Sequence, residues 1–425
     1  MGSQRSALHQ ISEMEHLRNA WRAISKRNMR SKGLDDVTIR VFKTHLEEHL
    51  GNISAELRSD RYVFGKLRAH AIDKSGSTKK RPLQIPVVRD RVVMKAIALF
   101  IAPAFDKFNL SCSFAYIKRR GIKPAITRIR ELIEQGNKYY LESDIIDFFG
   151  SVDREMLWEQ FSKHVRHKSL LPLIKQCFSL ELGNLQDLET EDQQLFQGAD
   201  SGIPQGGVLS PMLANFYLYK FDRPITKTGF NLVRYADDFV ILCESKEKAE
   251  LGYKLCEQAL QPLKLAIHPL GPQHSKTKIG WFPKDGLTFL GLRFEGKEVF
   301  PAKKSEDRFV AKVAEILDPA SGLSLFQTLQ KLSNLINGWG KCYNAMRVNQ
   351  MYLELDVFIK KSVTAYLKNV GIQLTGKNKR KQMKLLGIPP LSAMVVHAAH
   401  ASKLSEISAR SGAERSTRMG TRAIP

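Results

Sequence analysis

The sequence predicts an α+β fold built around an antiparallel sheet, and three observations lead there. Short runs rich in Val, Ile, Leu, Phe and Tyr occur at 138–149, 231–242 and 287–294, as strands require. Longer stretches around them carry apolar residues at helical spacing. The order strand, helix, hairpin would bring three carboxylates from distant parts of the chain onto one sheet.

Taken in order, the first hundred residues are helical in pattern and basic. Between Arg58 and Lys95 stand 11 Lys/Arg against 3 Asp/Glu, and "KSGSTKKRPLQIPVV" reads as a Gly/Ser turn with a basic rim leading into a short strand. "KYYLESDIIDFF" (138–149) reads as a strand, and Asp153 as the N-cap of a helix through "REMLWEQF". After the loop "GADSGIPQGG", Leu209, Met212, Leu213, Phe216 and Tyr217 recur at helical spacing, with Pro211 tolerable in the first turn. "NLVRYADDFVIL" (231–242) predicts two short strands with a tight turn near Ala236–Asp237. A helix through "SKEKAELGYKLCEQALQPL" follows, then a short strand in "LTFLGLRF", then helices from about residue 305. The last 55 residues hold 10 Lys/Arg against 2 Asp/Glu, and the Ser/Gly/Arg-rich end is expected to be mobile.

Composition narrows the function. A chain of 425 residues with 43% hydrophobic and 26% charged residues is soluble and globular in character. Its net charge of +23 favours a polyanionic partner, nucleic acid first. Five widely spaced cysteines without a C-x-x-C pair argue for a reducing compartment and against disulfides or a zinc knuckle. The 11 histidines form no H-x-x-H pattern and read as structural. No apolar run is long enough for a membrane span, and no signal peptide is expected. The opening "MGSQRS" fits a myristoylation pattern too short to be specific, and reads as a chance match.

The chemistry gathers at the acids. Asp237 and Asp238 interrupt an apolar run, where two adjacent carboxylates are costly and raise each other's pKa. A bound cation removes the conflict. With Asp144 they could hold two Mg²⁺ ions, hard cations that prefer oxygen ligands. Two such ions roughly 4 Å apart suit in-line phosphoryl transfer. A Tyr-x-Asp-Asp string alone is a weak signal. Its order among the other motifs makes it specific.

Those motifs resemble the prokaryotic reverse transcriptases related to group II intron proteins, over roughly residues 15–345. "AWRAISKRNMRSKGLDDVTIRVF" is similar to the family's N-terminal element, "RPLQIPVVRDRVVMKAI" to its fingers motif, and "SDIIDFFGSVD" to the motif with the first catalytic aspartate. "GIPQGGVLSPMLANFYL" resembles the template–primer loop and helix, "RYADDFVIL" the signature hairpin, "SKTKIGWF" and "LTFLGLRF" the motifs that close the palm, and "LINGWGKCYN" the thumb.

The resemblance implies a right-hand polymerase: fingers and palm over 1–300, a helical thumb over 301–370 and a basic extension over 371–425. It makes Asp144, Asp237 and Asp238 the metal-binding set, assisted by the backbone carbonyl near Ile145. Arg81, with Lys80 and Arg91, would clamp the nucleotide triphosphate, a role suited to guanidinium. Asp147 would lie beside the nucleotide, and Gln205 with its Gly neighbours would line the site. Phe149 stands where a bulky ring excludes a 2′-hydroxyl, with plain core as the alternative and Phe148 the next suspect. Lys276 would be the proton donor to pyrophosphate, with Lys278 competing. Trp339 reads as thumb core.

The resemblance further implies an RNA-directed DNA polymerase using deoxynucleoside triphosphates and two Mg²⁺ ions. It would be cytoplasmic, bacterial and independent of membranes. Cysteine pairs for an endonuclease module are missing, as are the NAxxH and VTG elements of retron enzymes, and "PQGGVLSP" differs from the loop of diversity-generating retroelements. The chain is therefore most similar to free-standing defence-associated reverse transcriptases, the type 2 group among them, which copy a co-encoded structured non-coding RNA into cDNA. An intron maturase is the alternative, and Phe149 counts against an RNA-templated RNA polymerase.

Overall fold

The computed structural model describes residues 6–25, 28–73, 80–198, 202–271, 275–296, 298–343, 349–373 and 379–394. The expectation of a mobile end falls on residues outside those described. The chain divides into two compact units, Met1–Asp285 and Gly286–Pro425.

In the first unit, the basic segment forms a hairpin of β1 (Arg68–Asp73) and β2 (Lys80–Ile85), with Ile72 opposite Arg81 and Asp73 opposite Lys80. Pro82, which has no N–H to donate, sits in this two-stranded sheet, where each strand has a free edge. The helix Val88–Phe105 follows, with Val88, Val92, Val93, Ala96, Ile97 and Ile101 all buried. It is apolar on most of its circumference, as a helix inside a core must be.

The central sheet has four antiparallel strands in the order β4 (Asn231–Tyr235), β5 (Asp238–Cys243), β3 (Tyr139–Asp144) and β6 (Lys278–Trp281). Phe239 to Cys243 are all buried, so β5 is a central strand covered on both faces. Helices Ile122–Glu134, Ser210–Lys227 and Lys246–Leu260 pack against this sheet. In β6, Gly280 lies opposite the buried Tyr140, whose ring occupies the space a Cβ there would need.

Most expected elements are present. Asp153 caps the helix Arg154–His164, accepting from the Met156 N–H at 2.8 Å. Pro211 lies in the first turn of Ser210–Lys227. Two expectations need correction. The run 138–149 is not strand throughout: β3 stops at Asp144, Asp147 adopts φ 37°, and Phe148–Ser151 is a helical turn. Aspartate tolerates this left-handed backbone because its short side chain can bond locally. "LTFLGLRF" is a hairpin rather than one strand, β7 (Leu287–Phe289) and β8 (Leu292–Glu295), turning on Leu290 and Gly291 with φ 54° and 73°. Positive φ at both turn residues is the type I′ pattern that matches strand twist.

The second unit begins with that hairpin, which β9 (Glu298–Pro301) extends to three antiparallel strands. Helices Lys303–Ile316, Leu325–Tyr343, Asn349–Asn369 and Lys379–Leu385 follow, with Leu332, Ile336, Tyr352, Val363 and Leu391 at the core. Trp339 packs there against Phe309 and Tyr343, both with ring centroids 4.7 Å away. Among the described residues, no helix is long and apolar enough to cross a membrane.

Candidate active site

Strand register assembles the acids. Asp144, the last residue of β3, lies directly opposite Asp238, the first of β5. Asp237 is one residue away in the turn, and its carbonyl accepts from the Ile145 N–H at 3.3 Å. The turn is Ala236–Asp237, with Tyr235 paired to Asp238. Ala236 has φ 60° while Asp237 is not in the positive-φ region, the sign pattern of a type II′ turn. An L-residue there costs about 1–3 kcal/mol, so surrounding contacts must hold it.

Electrostatics records the crowding. Partial burial, then the charge of Asp144, raise the Asp237 carboxyl, against the pull of Arg81 and Lys276. Asp238 is pushed up to about 7, first by loss of solvation among the surrounding protein atoms and then by Asp237, Asp144 and Glu142. Its residue surface is nonetheless exposed, at the start of β5 beside the turn.

The lysines separate cleanly. Lys276 Nζ lies 2.6 Å from Asp144 Oδ2 and 3.1 Å from His268 Nε2. Lys278 instead pairs with Glu142 at 3.1 Å. His268 Nε2 lies 3.7 Å from Asp144 Oδ1, so this histidine belongs to the site although the sequence read all histidines as structural.

Could these residues hold a cation? Among the described residues, no three His, Cys, Asp or Glu side chains converge at metal-ligand spacing as they stand. The donor chemistry fits nonetheless. Asp144 Oδ1 is buried without a hydrogen-bond partner, and the carboxylates around it oppose one another's ionisation. Divalent cations with oxygen preference relieve both conditions.

A polar cavity of about 170 Å³ is lined by Pro82, Gln84, Asp147, Phe149, Gly202 and Gln205, among others. Phe149 faces it, partly buried, with its carbonyl accepting from the Ile203 N–H at 2.8 Å, while Phe148 is core at 2% exposure. Gln205 gives its carbonyl to the Gln84 N–H at 2.7 Å, and its side-chain Oε1 is buried without a partner. Gly206, at φ 101°, continues this loop.

The three basic residues diverge. Arg81 is exposed and close enough to pull down the Asp237 carboxyl. Lys80 Nζ is engaged by Asp192 at 2.7 Å. Arg91 is buried, donating to the Pro86 carbonyl at 2.7 Å and Ser31 Oγ at 2.9 Å, which ties it into the protein rather than presenting it to a triphosphate.

Two further residues escaped sequence reasoning. Tyr116, exposed and at φ 64°, has its hydroxyl raised by desolvation and by the charge of Asp237. It also lines a cavity of about 480 Å³ beside helices Val88–Phe105 and Ser210–Lys227. Arg234, wholly buried, makes a double contact with Asp222 at 2.6 and 2.5 Å. An aromatic beside the Lys/Arg-rich run 118–120 was the available signal for the first; the second carried none, because a lone charge in a strand reads as solvent-facing.

Residues 72–294, more than half of the chain, match the family model described as reverse transcriptase (RNA-dependent DNA polymerase). Protein YkfC of Escherichia coli (strain K12) is 26% identical over 348 residues, covering 72% of this chain and 87% of that protein. The group II intron-encoded protein LtrA of Lactococcus lactis subsp. cremoris is 27% identical over 199 residues, 47% of this chain and 31% of LtrA. The retron Ec73 reverse transcriptase of Escherichia coli is 28% identical over 164 residues, 35% of this chain and 45% of that protein. The chain thus spans less than half the length of the last two relatives. With the paired strand ends that carry its acids, this match makes the chain a member of the reverse transcriptase family, the RNA-directed DNA polymerases.

Proposed function

We propose that Asp144, Asp237 and Asp238 are the catalytic carboxylates and that they work with two Mg²⁺ ions. The observation that carries this is the register: Asp144 opposite Asp238, with Asp237 beside them. The ions would supply an activated primer hydroxyl and stabilise the leaving oxygen. The three carboxylates and the Ile145 carbonyl would hold them.

The primer 3′-oxygen forms a bond to the α-phosphorus of the deoxynucleotide. The bond from that phosphorus to the bridging oxygen breaks, and pyrophosphate leaves. The proton of the 3′-hydroxyl passes to solvent, and Lys276 returns one to the pyrophosphate. Lys276 is preferred over Lys278 because its ammonium lies 2.6 Å from Asp144, whereas Lys278 is committed to Glu142. Arg81 would steady the triphosphate, and Lys80 would join it only by leaving Asp192. Asp147, Phe149 and Gln205, which line one polar cavity, would receive base and sugar, with the Phe149 ring against the 2′-position.

A net charge of +23 supports many phosphate contacts, and a folded RNA adds shape that charge alone does not read. We infer a structured, co-encoded non-coding RNA copied into cDNA in anti-phage defence. The second reading, an intron maturase, draws on the similarity to the group II intron-encoded protein.

Asp237→Ala should abolish deoxynucleotide incorporation on a primed RNA while RNA binding survives. Incorporation above a few per cent of the parent refutes the carboxylate assignment. Sequencing the RNA bound in the native host separates the rest. One dominant neighbouring transcript supports the defence reading, an intron supports the maturase, and a random sample refutes both.

A further inference from the structure

One buried side chain that bonds to the acidic turn belongs to no step above. Arg234 lies on β4 two residues before Ala236, at 0% exposure. Its Nε and Nη2 donate to the two oxygens of Asp222, at 2.6 and 2.5 Å, from the helix Ser210–Lys227. Its Nη1 donates to Asn215 Oδ1 at 3.2 Å and to the Ala236 carbonyl at 2.8 Å. Asp222 is also wholly buried, and Asn215 is 4% exposed.

A buried ion pair is a poor way to gain stability, because desolvation consumes most of the attraction. Its value lies in direction. A guanidinium presents donors in a rigid fork, so two fixed by Asp222 leave Nη1 aimed at one place. That place is the carbonyl of a residue held at φ 60°, in a turn position where glycine would ordinarily stand. Fixing the Ala236 carbonyl fixes the peptide plane to Asp237, and so the departure of both aspartates.

The same node reaches a second loop. The Arg234 N–H donates to the Cys112 carbonyl at 2.8 Å, and its own carbonyl accepts from Phe114 at 2.9 Å. Asn215 Nδ2 donates to the Ala115 carbonyl at 2.9 Å. Tyr116 leaves directly from this anchored segment, and its hydroxyl feels Asp237 and Arg81.

We propose that Arg234 is the positioning residue of this polymerase, with Asp222 and Asn215 as its anchors: it sets the acidic turn for metal binding and holds the Tyr116 loop in register with it. The inference rests on the carboxylates being the metal ligands, and an Asp237→Ala control tests that premise separately.

The test is Arg234→Lys in the full chain. Lysine keeps the charge facing Asp222 but has one nitrogen, which cannot hold both carboxylate oxygens and the Ala236 carbonyl. The variant should melt as a folded protein and keep the parent's KM for deoxynucleotide. Its kcat should fall roughly tenfold to a hundredfold, as a misplaced reacting group does. The Mg²⁺ concentration for half-maximal effect, on the rate and on the melting temperature of the resting protein, should rise about tenfold, the cost of losing an outer support of metal ligands. A role in stability alone would leave that Mg²⁺ requirement unmoved.

A folded variant with the parent's kcat and Mg²⁺ requirement overturns the proposal, as does a kcat loss that only tracks the folded fraction. Should Arg234→Lys not fold, Asn215→Ser, which leaves the Asp222 pair in place, is judged on the same two quantities. If Asp237→Ala retains synthesis, the carboxylate assignment fails. If Asp237→Ala is inactive and the node variants match the parent, this inference alone fails.

Discussion

Gly202 offers a direct test of whether the Phe149 wall is set by backbone contact. A Cβ added there would lie 2.6 Å from Gly150 Cα and 2.9 Å from Gly150 C, and closer still to the Phe149 carbonyl oxygen. Ordinary contact begins near 3.4 Å, so the backbone at Gly150 must retreat by at least about 0.8 Å. No flexible side chain can absorb that shift. The Ile203 N–H to Phe149 carbonyl bond, 2.8 Å in the parent, is stretched or lost. Overpacking and the lost bond together should cost Gly202→Ala about 2–4 kcal/mol. The melting temperature should fall on the order of 5–10 °C. Because the displaced turn carries Phe149 and Gly150 on the cavity wall, the KM for deoxynucleotide should rise as well. Thermal melts and single-nucleotide incorporation on a primed RNA read both effects. Gly51→Ala is the control: it lies in the helix Leu46–Arg58 with no atom within 4 Å of an added Cβ, and should stabilise by about 0.5–1 kcal/mol. A Gly202→Ala protein with the parent's melting temperature and KM would refute the reasoning.

Phe149→Val should admit ribonucleotides while retaining deoxynucleotide incorporation, because the ring acts by exclusion. Unchanged rejection of ribonucleotides would make Phe149 a packing residue only. Asp90, buried and bonded to the Tyr62 hydroxyl at 2.7 Å and the Gly65 N–H at 2.8 Å, has its carboxyl raised by burial to about 6. The folded state therefore holds its proton where the unfolded chain has released it. Its contribution to stability is complete below about pH 4 and is lost as pH rises through 6. Asp90→Asn should flatten that part of the stability–pH curve, and an unchanged slope would count against the shift. RNA affinity should fall steeply and linearly on a logarithmic salt axis, as expected for a chain of net charge +23. A nearly flat filter-binding titration between 50 and 200 mM salt, the range over which about 10³-fold changes are typical, would argue for shape readout without charge.

The acids were legible because they violate a pattern. Asp237 and Asp238 break an apolar run, and Asp144 ends another. What alternation could not show is the register, since pairing Asp144 with Asp238 is a property of two strands and not of either. Arg234 was hidden for the opposite reason. A lone charge in a strand reads as solvent-facing, and nothing in spacing reveals that Asp222, a helical residue, neutralises it. His268 carried no motif, and the bridge that pairs its neighbour Ile267 with Ile145 brings it to the site. The resemblance puts Arg91 at the triphosphate, but its place on the buried helix Val88–Phe105 turns it inward. "LTFLGLRF" hid its turn because Leu290, not Asn or Asp, precedes Gly291 in a position of positive φ.

The pairing of β3 with β5 also decides where this chain can be lengthened. The excursion from Asp144 to Asn231 leaves the sheet and returns to it, so segments such as 165–198 could gain residues without moving one acid relative to another. The two-residue turn between Tyr235 and Asp238 has no such freedom. One inserted residue there would exchange the faces of every side chain along one arm, moving Phe239 and Ile241 onto the equally buried face that Val240 and Leu242 now fill. Loop grafting and domain insertion thus have a wide field in the excursion and none in the turn, and natural variation in length among such enzymes should be divided in the same way.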